Sequence, residues 1–252
     1  MNPGTFQDQV VMITGAASGF GELLARRLAG LGARLVLGDR NETGLARVAA
    51  QLREAGASVV AQACDVSRES EVSALVDVAV EHFGRLDIGV NNAGILTPMK
   101  AFIDTTEAEL DQSFAVNGKG VFFGMKYQIR QMLSQGSGVI LNVASIAGLG
   151  GAPKLAAYCA AKHAVVGLTK GAAVEYARQN IRINAVCPFY SATPMVTDSE
   201  VGEKQDFLAQ GSPMKRFAEP DEVVAVMLML CARENGYMTG QAIAVDGGLS
   251  AY

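Results

Sequence analysis

Short apolar runs alternate along the chain with longer stretches in which apolar residues recur at helical spacing. The runs predict strands at 10–14, 34–38, 58–63, 86–91, 138–143, 181–187 and 242–245. The helical spacing predicts helices at 22–29, 69–83, 110–133, 156–177 and 221–231. Strands that alternate with helices favour an α/β fold built on a parallel sheet with right-handed crossovers. No linker or shift in composition divides the chain, so residues 1–252 are predicted to form a single domain.

The composition agrees with this fold class and excludes several functions. Of the 252 residues, 50% are hydrophobic, which is enough to bury a sheet on both faces. The net charge is −4 and there is no basic run, so neither nucleic acid nor an anionic membrane surface is an expected partner. The N-terminus shows no signal-peptide pattern, and the longest strongly apolar run, 223–232, is too short to cross a bilayer. We therefore expect a soluble, cytoplasmic protein.

The cysteines, at positions 64, 159, 187 and 231, are not spaced as metal ligands, and only His82 and His163 could add imidazole. No metal site is predicted. Free buried thiols in a reducing compartment explain these cysteines better. Because no histidine lies near a nucleophile motif, a hydrolase triad on Ser145 is a poor alternative.

The first predicted strand runs directly into a glycine-rich turn, which a predicted helix follows. Such a turn lets the backbone approach a pyrophosphate, and the helix N-terminus offers N–H groups and the positive end of its dipole. We predict that this turn binds a dinucleotide, with a plain tight turn as the alternative. The residues concerned are Gly15, Ser18, Gly19, Phe20 and Gly21.

An acidic residue, Asp39, follows the second predicted strand, about twenty residues beyond the glycines. A carboxylate there can accept hydrogen bonds from the adenosine ribose, and its charge would repel a 2′-phosphate. Arg40 could pair with such a phosphate, but the glycine-rich turn carries no basic residue. The pattern therefore favours NAD over NADP. The alternative for Asp39 is a helix cap.

Tyr158 and Lys162 are four residues apart on a predicted helix, and Ser145 follows the apolar run at 138–143. Helical spacing puts the phenol and the ammonium on one face, where the ammonium is expected to lower the pKa of the phenol from about 10 toward neutrality. A tyrosine with such a pKa can exchange a proton near neutral pH. Taken alone, the same spacing is also typical of a surface pair.

These motifs, together with Asn91–Asn92–Ala93–Gly94, Asn117 and Asp65–Val66, resemble the short-chain dehydrogenase/reductase family over nearly the whole chain. The resemblance implies a Rossmann-type doubly wound parallel sheet with helices on both faces. It also implies a homotetramer that moves a hydride between a nicotinamide and an alcohol or ketone. It matches Asn117, Ser145, Tyr158 and Lys162 to the catalytic residues of the family.

The same resemblance assigns further residues to the cofactor. Lys162 is expected to bind the nicotinamide ribose, and Asn117 to interrupt its helix and hold a water that connects Lys162 to solvent. The remaining matched positions are Asp65 and Val66 at the adenine, Asn92, Ala93 and Gly94 under the ribose, and Ser191 and Thr193 at the carboxamide and pyrophosphate, with Pro188 as a further cofactor-binding residue.

One position departs from the family, because Phe189 stands where a glycine commonly follows the proline. A bulky residue does not freely adopt a positive φ, so a different local turn is expected, together with an aromatic wall for the pocket. The segment 189–211 has little periodicity and contains Pro194, which predicts a mobile lid over the substrate, or else an ordered surface excursion. The expected pocket comprises Ser145, Ile146, Leu149, Leu155, Tyr158, Phe189, Tyr190 and Met195.

Three functions remain open from the sequence. The first is an NAD-dependent dehydrogenase of secondary alcohols with an apolar or bulky, hydroxysteroid-like, cyclic or aryl substrate, favoured by Asp39 and the apolar pocket. The second is a 3-oxoacyl-thioester reductase, expected to use NADPH and to carry a basic patch for an acidic carrier protein. The third is a non-catalytic nucleotide sensor, against which the four matched catalytic positions argue.

Overall fold

The structure, a computed structural model, describes residues 4–251. Its strands are β1 (Val10–Thr14), β2 (Arg34–Asp39), β3 (Val59–Ala63), β4 (Ile88–Asn91), β5 (Gly138–Val143), β6 (Ile181–Pro188) and β7 (Ala242–Val245). Within the described residues they form one seven-stranded sheet in the order β3-β2-β1-β4-β5-β6-β7, and every neighbouring pair is parallel. The winding reverses between β1 and β4, so the carboxyl ends of these two strands open onto a crevice.

Helices cover both faces of the sheet. They are α1 (Gly19–Gly30), α2 (Glu42–Glu54), α3 (Glu69–Phe83), α4 (Glu107–Ser113), α5 (Gly120–Gln135), α6 (Ala156–Tyr176), α7 (Pro194–Thr197), α8 (Gln205–Ala209) and α9 (Pro220–Cys231). Apolar side chains of α1, α2 and α9 form one buried layer with the sheet, and those of α3, α5 and α6 form the other. Successive residues of a strand alternate between the layers, as Met12 and Ile13 do. The predicted doubly wound sheet is confirmed.

The helix predicted at 110–133 is divided in the structure. α4 ends at Ser113, a π-helical segment spans Phe114–Lys119, and α5 begins at Gly120. The prediction of one continuous helix is therefore wrong. The apolar spacing continues through the π-helical segment, but the backbone hydrogen bonds of that segment close a wider turn than those of an α-helix. The interruption surrounds Asn117, as the family resemblance implies.

α2 has no counterpart among the predicted helices, although its sequence carries the usual indications. Its buried residues, at helical spacing, are Leu45, Val48, Ala49 and Leu52. The Asn41 side chain caps its first turn by accepting a hydrogen bond from the Gly44 N–H at 3.0 Å. The cap is therefore Asn41 rather than Asp39.

The segment 189–211 contains two short helices, α7 and α8, rather than irregular chain alone. Its residues Val201 and Ala209 are buried in a small apolar cluster with Phe217. This cluster anchors the segment beside the carboxyl end of the sheet. Across residues 4–251, no helix is both long enough and apolar enough to cross a membrane.

Candidate active site

The glycine-rich turn between β1 and α1 has no room for a side chain at Gly15 or at Gly21. A Cβ on Gly21 would lie 2.1 Å from the Gly15 carbonyl oxygen, and a Cβ on Gly15 would lie 2.8 Å from the Cα of Ala93. The Asn92 amide donates to the carbonyls of Thr14 and Gly15 at 2.9 and 3.0 Å, which holds the turn against the end of β4. The turn thus presents bare backbone at the N-terminus of α1, a shape and polarity that fit a pyrophosphate.

Thr14, which the sequence analysis did not select, is part of this arrangement. Its hydroxyl accepts hydrogen bonds from the N–H groups of Asn92 and Ala93 at 3.1 and 3.2 Å, and the residue is almost fully buried. The sequence carries one indication of this role, because Thr14 is a hydroxyl residue at the end of an otherwise apolar strand. Thr14 joins the carboxyl ends of β1 and β4 at the point where the sheet reverses.

Asp39 lies at the end of β2 beside the glycine-rich turn. Its carboxylate accepts from the N–H groups of Ala17 at 2.9 Å and Asn41 at 2.8 Å. The exposed Arg40 and the residues Asp65 and Val66 line the same end of the cleft. A hydrogen bond from the Ser67 hydroxyl lowers the pKa of Asp65, so this end carries two carboxylates.

The Ser145 hydroxyl lies beside the Tyr158 hydroxyl and lowers the pKa of Tyr158 as a hydrogen-bond partner. Ser145 follows β5 and also accepts from the Ala147 N–H at 3.1 Å, which fixes its rotamer. Tyr158 is half-buried in the first turn of α6. Burial raises the pKa of Tyr158 to about 12, and the hydrogen bond with Ser145 acts in the opposite direction.

Lys162 lies one turn further along α6 and is nearly inaccessible to solvent. Its ammonium donates to the Val143 carbonyl at 2.8 Å and lies 5.6 Å from the centre of the Tyr158 ring. Burial lowers the pKa of Lys162 to about 8. The expectation that this ammonium brings the pKa of Tyr158 toward neutrality is wrong for the protein alone, because burial disfavours both charged forms and the ammonium faces the carbonyl of β5.

Asn117 is fully buried in the π-helical segment, and its side chain holds the loop that follows β4. The amide oxygen accepts from the Ile95 N–H at 2.9 Å, and the amide nitrogen donates to the Ile95 carbonyl at 3.0 Å. A Cβ on Gly94 would lie 3.0 Å from this oxygen and 3.7 Å from the Lys162 ammonium nitrogen. Gly94 therefore leaves room beside the loop for the Asn117 amide and the Lys162 ammonium.

The turn, Asp39 and the Ser145–Tyr158 pair border one cleft of about 1400 Å³. The predicted residues that line it are Gly15, Ser18, Gly19, Phe20, Asp39, Arg40, Asp65, Val66, Asn92, Ala93, Gly94, Ser145, Ile146, Leu149, Leu155, Tyr158, Lys162, Pro188, Phe189, Tyr190, Ser191, Thr193 and Met195. Of the predicted site residues, Gly21 and Asn117 lie outside the lining, packed behind Gly15 and Gly94.

Other lining residues were missed by the sequence analysis. They are dispersed along the chain and include Leu96, Met99, Val196, Phe207, Leu208, Leu249 and Ser250. The last two belong to a C-terminal turn held by Asp246, whose carboxylate accepts from the N–H groups of Gly248 at 3.0 Å and Ser250 at 2.8 Å.

Phe189 does not create the backbone conflict expected from its size. The non-glycine residues with positive φ among 4–251 are Asp8, Lys154, Asn180 and Lys215, so Phe189 keeps an ordinary conformation. Its N–H donates to the Val245 carbonyl at 3.0 Å, and its ring lies 4.6 Å from that of Tyr190. The expected different turn is not required, and Phe189 lines the cleft as an aromatic wall.

The cysteines are free thiols in the described part of the chain, and no cluster of three or more metal-ligating side chains occurs there. Three of the cysteines are buried, as expected, but Cys159 is only partly buried. Its thiol points to the Gly150 carbonyl, 3.5 Å away, and to His163 rather than to Tyr158.

Comparison with known proteins identifies the family. Residues 15–250 match the family model described as enoyl-(acyl carrier protein) reductase. Levodione reductase of Leifsonia aquatica is 41% identical over 256 residues, covering 98% of this chain and 96% of that protein. The crystal structure of levodione reductase superposes with a TM-score of 0.93 at 40% identity, covering 98% of this chain and 99% of that one.

Two further relatives differ in their named activities. The cis-4-hydroxycyclohexanecarboxylate dehydrogenase of Sinomonas cyclohexanicum is 39% identical over 246 residues, covering 98% of each chain. The 3-ketoacyl-(acyl-carrier-protein) reductase from Brucella melitensis, solved with NADH, superposes with a TM-score of 0.91 at 37% identity, covering 97% of this chain and 99% of that one. The protein therefore belongs to the short-chain dehydrogenase/reductase family and is an oxidoreductase.

Proposed function

We propose that this protein is an NAD-dependent dehydrogenase that interconverts secondary alcohols and ketones, with cyclic compounds as the preferred class. The observation that carries the proposal is the Ser145–Tyr158 pair, which lies in one cleft with a dinucleotide-type glycine turn and an apolar wall. Two of the relatives are named for the oxidation or reduction of compounds in this class.

The chain's own groups have distinct parts in this reaction. Tyr158 gives a proton to the carbonyl oxygen during reduction and takes it from the hydroxyl during oxidation. Ser145 holds that same oxygen in place, and its own position is fixed by the Ala147 N–H. A nicotinamide dinucleotide, when bound, supplies or accepts the hydride. The glycine turn and Asp39 would hold its pyrophosphate and ribose, and Lys162 would face its nicotinamide half.

The raised pKa of Tyr158 predicts an asymmetry between the two directions. Since its pKa lies above the ordinary value of 10.0 in the protein alone, Tyr158 is a protonated donor throughout the neutral range. We expect kcat/KM for ketone reduction to stay level between about pH 6 and pH 7.5, where Lys162 keeps its charge, and kcat/KM for alcohol oxidation, which needs the phenolate, to rise over that range. Steady-state pH profiles in both directions check this. A fall in ketone reduction near pH 7 would contradict it.

Asp39 predicts a strong preference for NAD over NADP. Its carboxylate already faces the glycine turn, and a phosphate on the adenosine ribose would bring like charges together. We expect kcat/KM to be at least ~100-fold higher with NAD⁺ than with NADP⁺, and Asp39→Asn to narrow the ratio by weakening NAD⁺ and admitting NADP⁺. Arg40→Ala is the matched comparison. A wild-type preference for NADP⁺ would show that Arg40 dominates.

A 3-oxoacyl-thioester reductase is the second candidate, favoured by the similarity to a ketoacyl reductase structure. That protein was solved with NADH, so preference for NAD does not by itself separate the two functions. Lys154 and Lys204 also line the cleft, but two lysines do not make the broad basic patch that an acidic carrier protein would need. Rates with cyclic ketones and with a 3-oxoacyl thioester, each with both reduced cofactors, decide between them. Absence of turnover of both classes would favour the nucleotide sensor.

Assembly into a homotetramer is supported by exposed apolar side chains on two long helices. Phe122 and Leu133 of α5 and Val174 of α6 are 46%, 42% and 83% exposed. Such residues are costly in a monomer and are typical of paired helices in symmetric oligomers. Light scattering at micromolar concentration should give the mass of four chains, or of two as the second choice. A monomer mass would refute the proposal.

The segment 189–211 is proposed to act as a lid. It brings Met195, Phe207 and Leu208 to the cleft, and Phe207 is 76% exposed, so closure would bury apolar surface. Slower amide hydrogen exchange in this segment with cofactor and ketone present would support closure, and unchanged exchange would refute it. The cytoplasm remains the proposed location, in keeping with four free thiols in the described chain.

A further inference from the structure

Tyr190 lies in the catalytic cleft with its ring fixed on two sides. It follows Phe189 directly after β6 and lines the cleft together with Ser145 and Tyr158. Its ring centre lies 4.6 Å from that of Phe189 and 5.2 Å from that of Phe217. Its carbonyl accepts from the Ala218 N–H at 3.0 Å. Packing against these two aromatic rings therefore holds the orientation of the Tyr190 ring before any substrate binds.

The hydroxyl of Tyr190 differs from the Ser199 hydroxyl and the Gln210 amide, which the segment 189–211 also brings to the cleft. Ser199 donates to the Val196 carbonyl at 2.8 Å, and Gln210 donates to the Asp206 carbonyl at 3.5 Å. The Tyr190 hydroxyl makes no hydrogen bond within residues 4–251 and is open to solvent. A ligand that fills the apolar cleft would shut water away from this hydroxyl, and a shielded hydroxyl without a partner is unfavourable.

Tyr190 and Tyr158 border the same cleft and influence each other electrostatically. Burial is the main cause of the raised pKa of Tyr158, and a negative charge on Tyr190 would raise that pKa further. Burial likewise raises the pKa of Tyr190, so this group is a protonated donor in the neutral range. The apolar lining of the cleft that Tyr190 borders includes Ile146, Leu149, Leu155, Phe189 and Met195.

We propose that the Tyr190 hydroxyl donates a hydrogen bond to a second oxygen of the substrate and thereby selects ring compounds with two oxygen functions, such as diketones and hydroxyketones. This inference rests on the proposed function. The first oxygen lies at Ser145 and Tyr158, and the second at Tyr190, where no bond is made or broken. A site that offers a fixed donor binds a substrate lacking the second oxygen less well, because the donor is then left unpaired.

The test compares cyclohexanone with a cyclohexanedione, which share one ring and differ in the second carbonyl. Wild-type protein is expected to favour the dione in kcat/KM by about tenfold or more, beyond the factor of about two that two equivalent carbonyls supply. Tyr190→Phe keeps the ring and its stacking, and should reduce this ratio by about tenfold. Tyr237→Phe, at a fully exposed tyrosine, is the matched control and should leave the ratio unchanged.

The outcomes separate this inference from the proposed function. Turnover of both ketones with no preference for the dione, or with a ratio that Tyr190→Phe does not change, would overturn the inference and leave the proposed function standing. An equal loss on both substrates would assign Tyr190 to the shape of the pocket and would also overturn it. Absence of turnover of both ketones by the wild type would overturn the proposed function and this inference together.

Discussion

Tyr158→Phe is expected to lower kcat by about 10²- to 10⁴-fold in both directions, the usual contribution of general acid–base catalysis. The substitution removes only the hydroxyl that is hydrogen-bonded to Ser145, so the ring still packs in the first turn of α6. The fold and dinucleotide binding should therefore survive. Steady-state kinetics with a cyclic ketone, together with cofactor titration and thermal unfolding of the same preparation, check this result.

Two companion variants sharpen the test of Tyr158. Ser145→Ala removes the group that holds the reacting oxygen but leaves the proton donor, so a loss on the order of 10²-fold is expected. Tyr237→Phe removes an exposed hydroxyl remote from the cleft and should have no effect. If folded Tyr158→Phe protein kept near-wild-type turnover, the assignment of the proton donor would be wrong, even though the family assignment would stand.

Lys162→Met is expected to be comparably inactive and also to bind the dinucleotide more weakly. The ammonium is held next to Tyr158 and beneath the loop at Gly94, where a positive charge can stabilise the phenolate once cofactor fills the cleft. A methionine fills similar volume without charge. Kinetics and cofactor titration measure the two losses separately. Full activity in this variant would rule out a role for the ammonium.

The same variant should unfold no more easily than the wild type at neutral pH. Burial lowers the pKa of Lys162 from its ordinary value of 10.5 to about 8, so the folded state disfavours the charged form. Between about pH 8 and pH 10.5 the unfolded chain binds more protons at this residue, and the free energy of unfolding contributed by Lys162 rises with pH. Lys162→Met removes this dependence, and thermal unfolding across that range should show a flatter profile.

The elements of the fold were largely predictable because they have strong local patterns. Strands buried on both faces read as continuous apolar runs, and most predicted strand bounds lie within one or two residues of those observed. The division between α4 and α5 was not predictable in this way. A π-helical segment alters backbone hydrogen bonding at Phe114–Lys119 without altering which residues are apolar.

The candidate site, like the fold, could be predicted from the sequence only in part. Spacing predicted that Tyr158 and Lys162 share a face of α6, and the two side chains are neighbours in the structure. The spacing does not predict the protonation states of the two side chains, because it carries no information on how far each one is shielded from water. Burial determines the direction of both pKa shifts. The C-terminal residues that line the cleft carry no local motif, so only the fold brings them there.

The C-terminal turn at Leu249–Ala251 links completion of the cleft to folding of the whole domain. The cleft is bordered at one place by Gly15 and at another by Ser250, so its walls come from residues far apart in the sequence. β1 and α1 can form from local contacts, but the cleft stays incomplete until this distant turn reaches the sheet. A ligand that spans the cleft would therefore report on long-range folding contacts and would stabilise the domain as a whole.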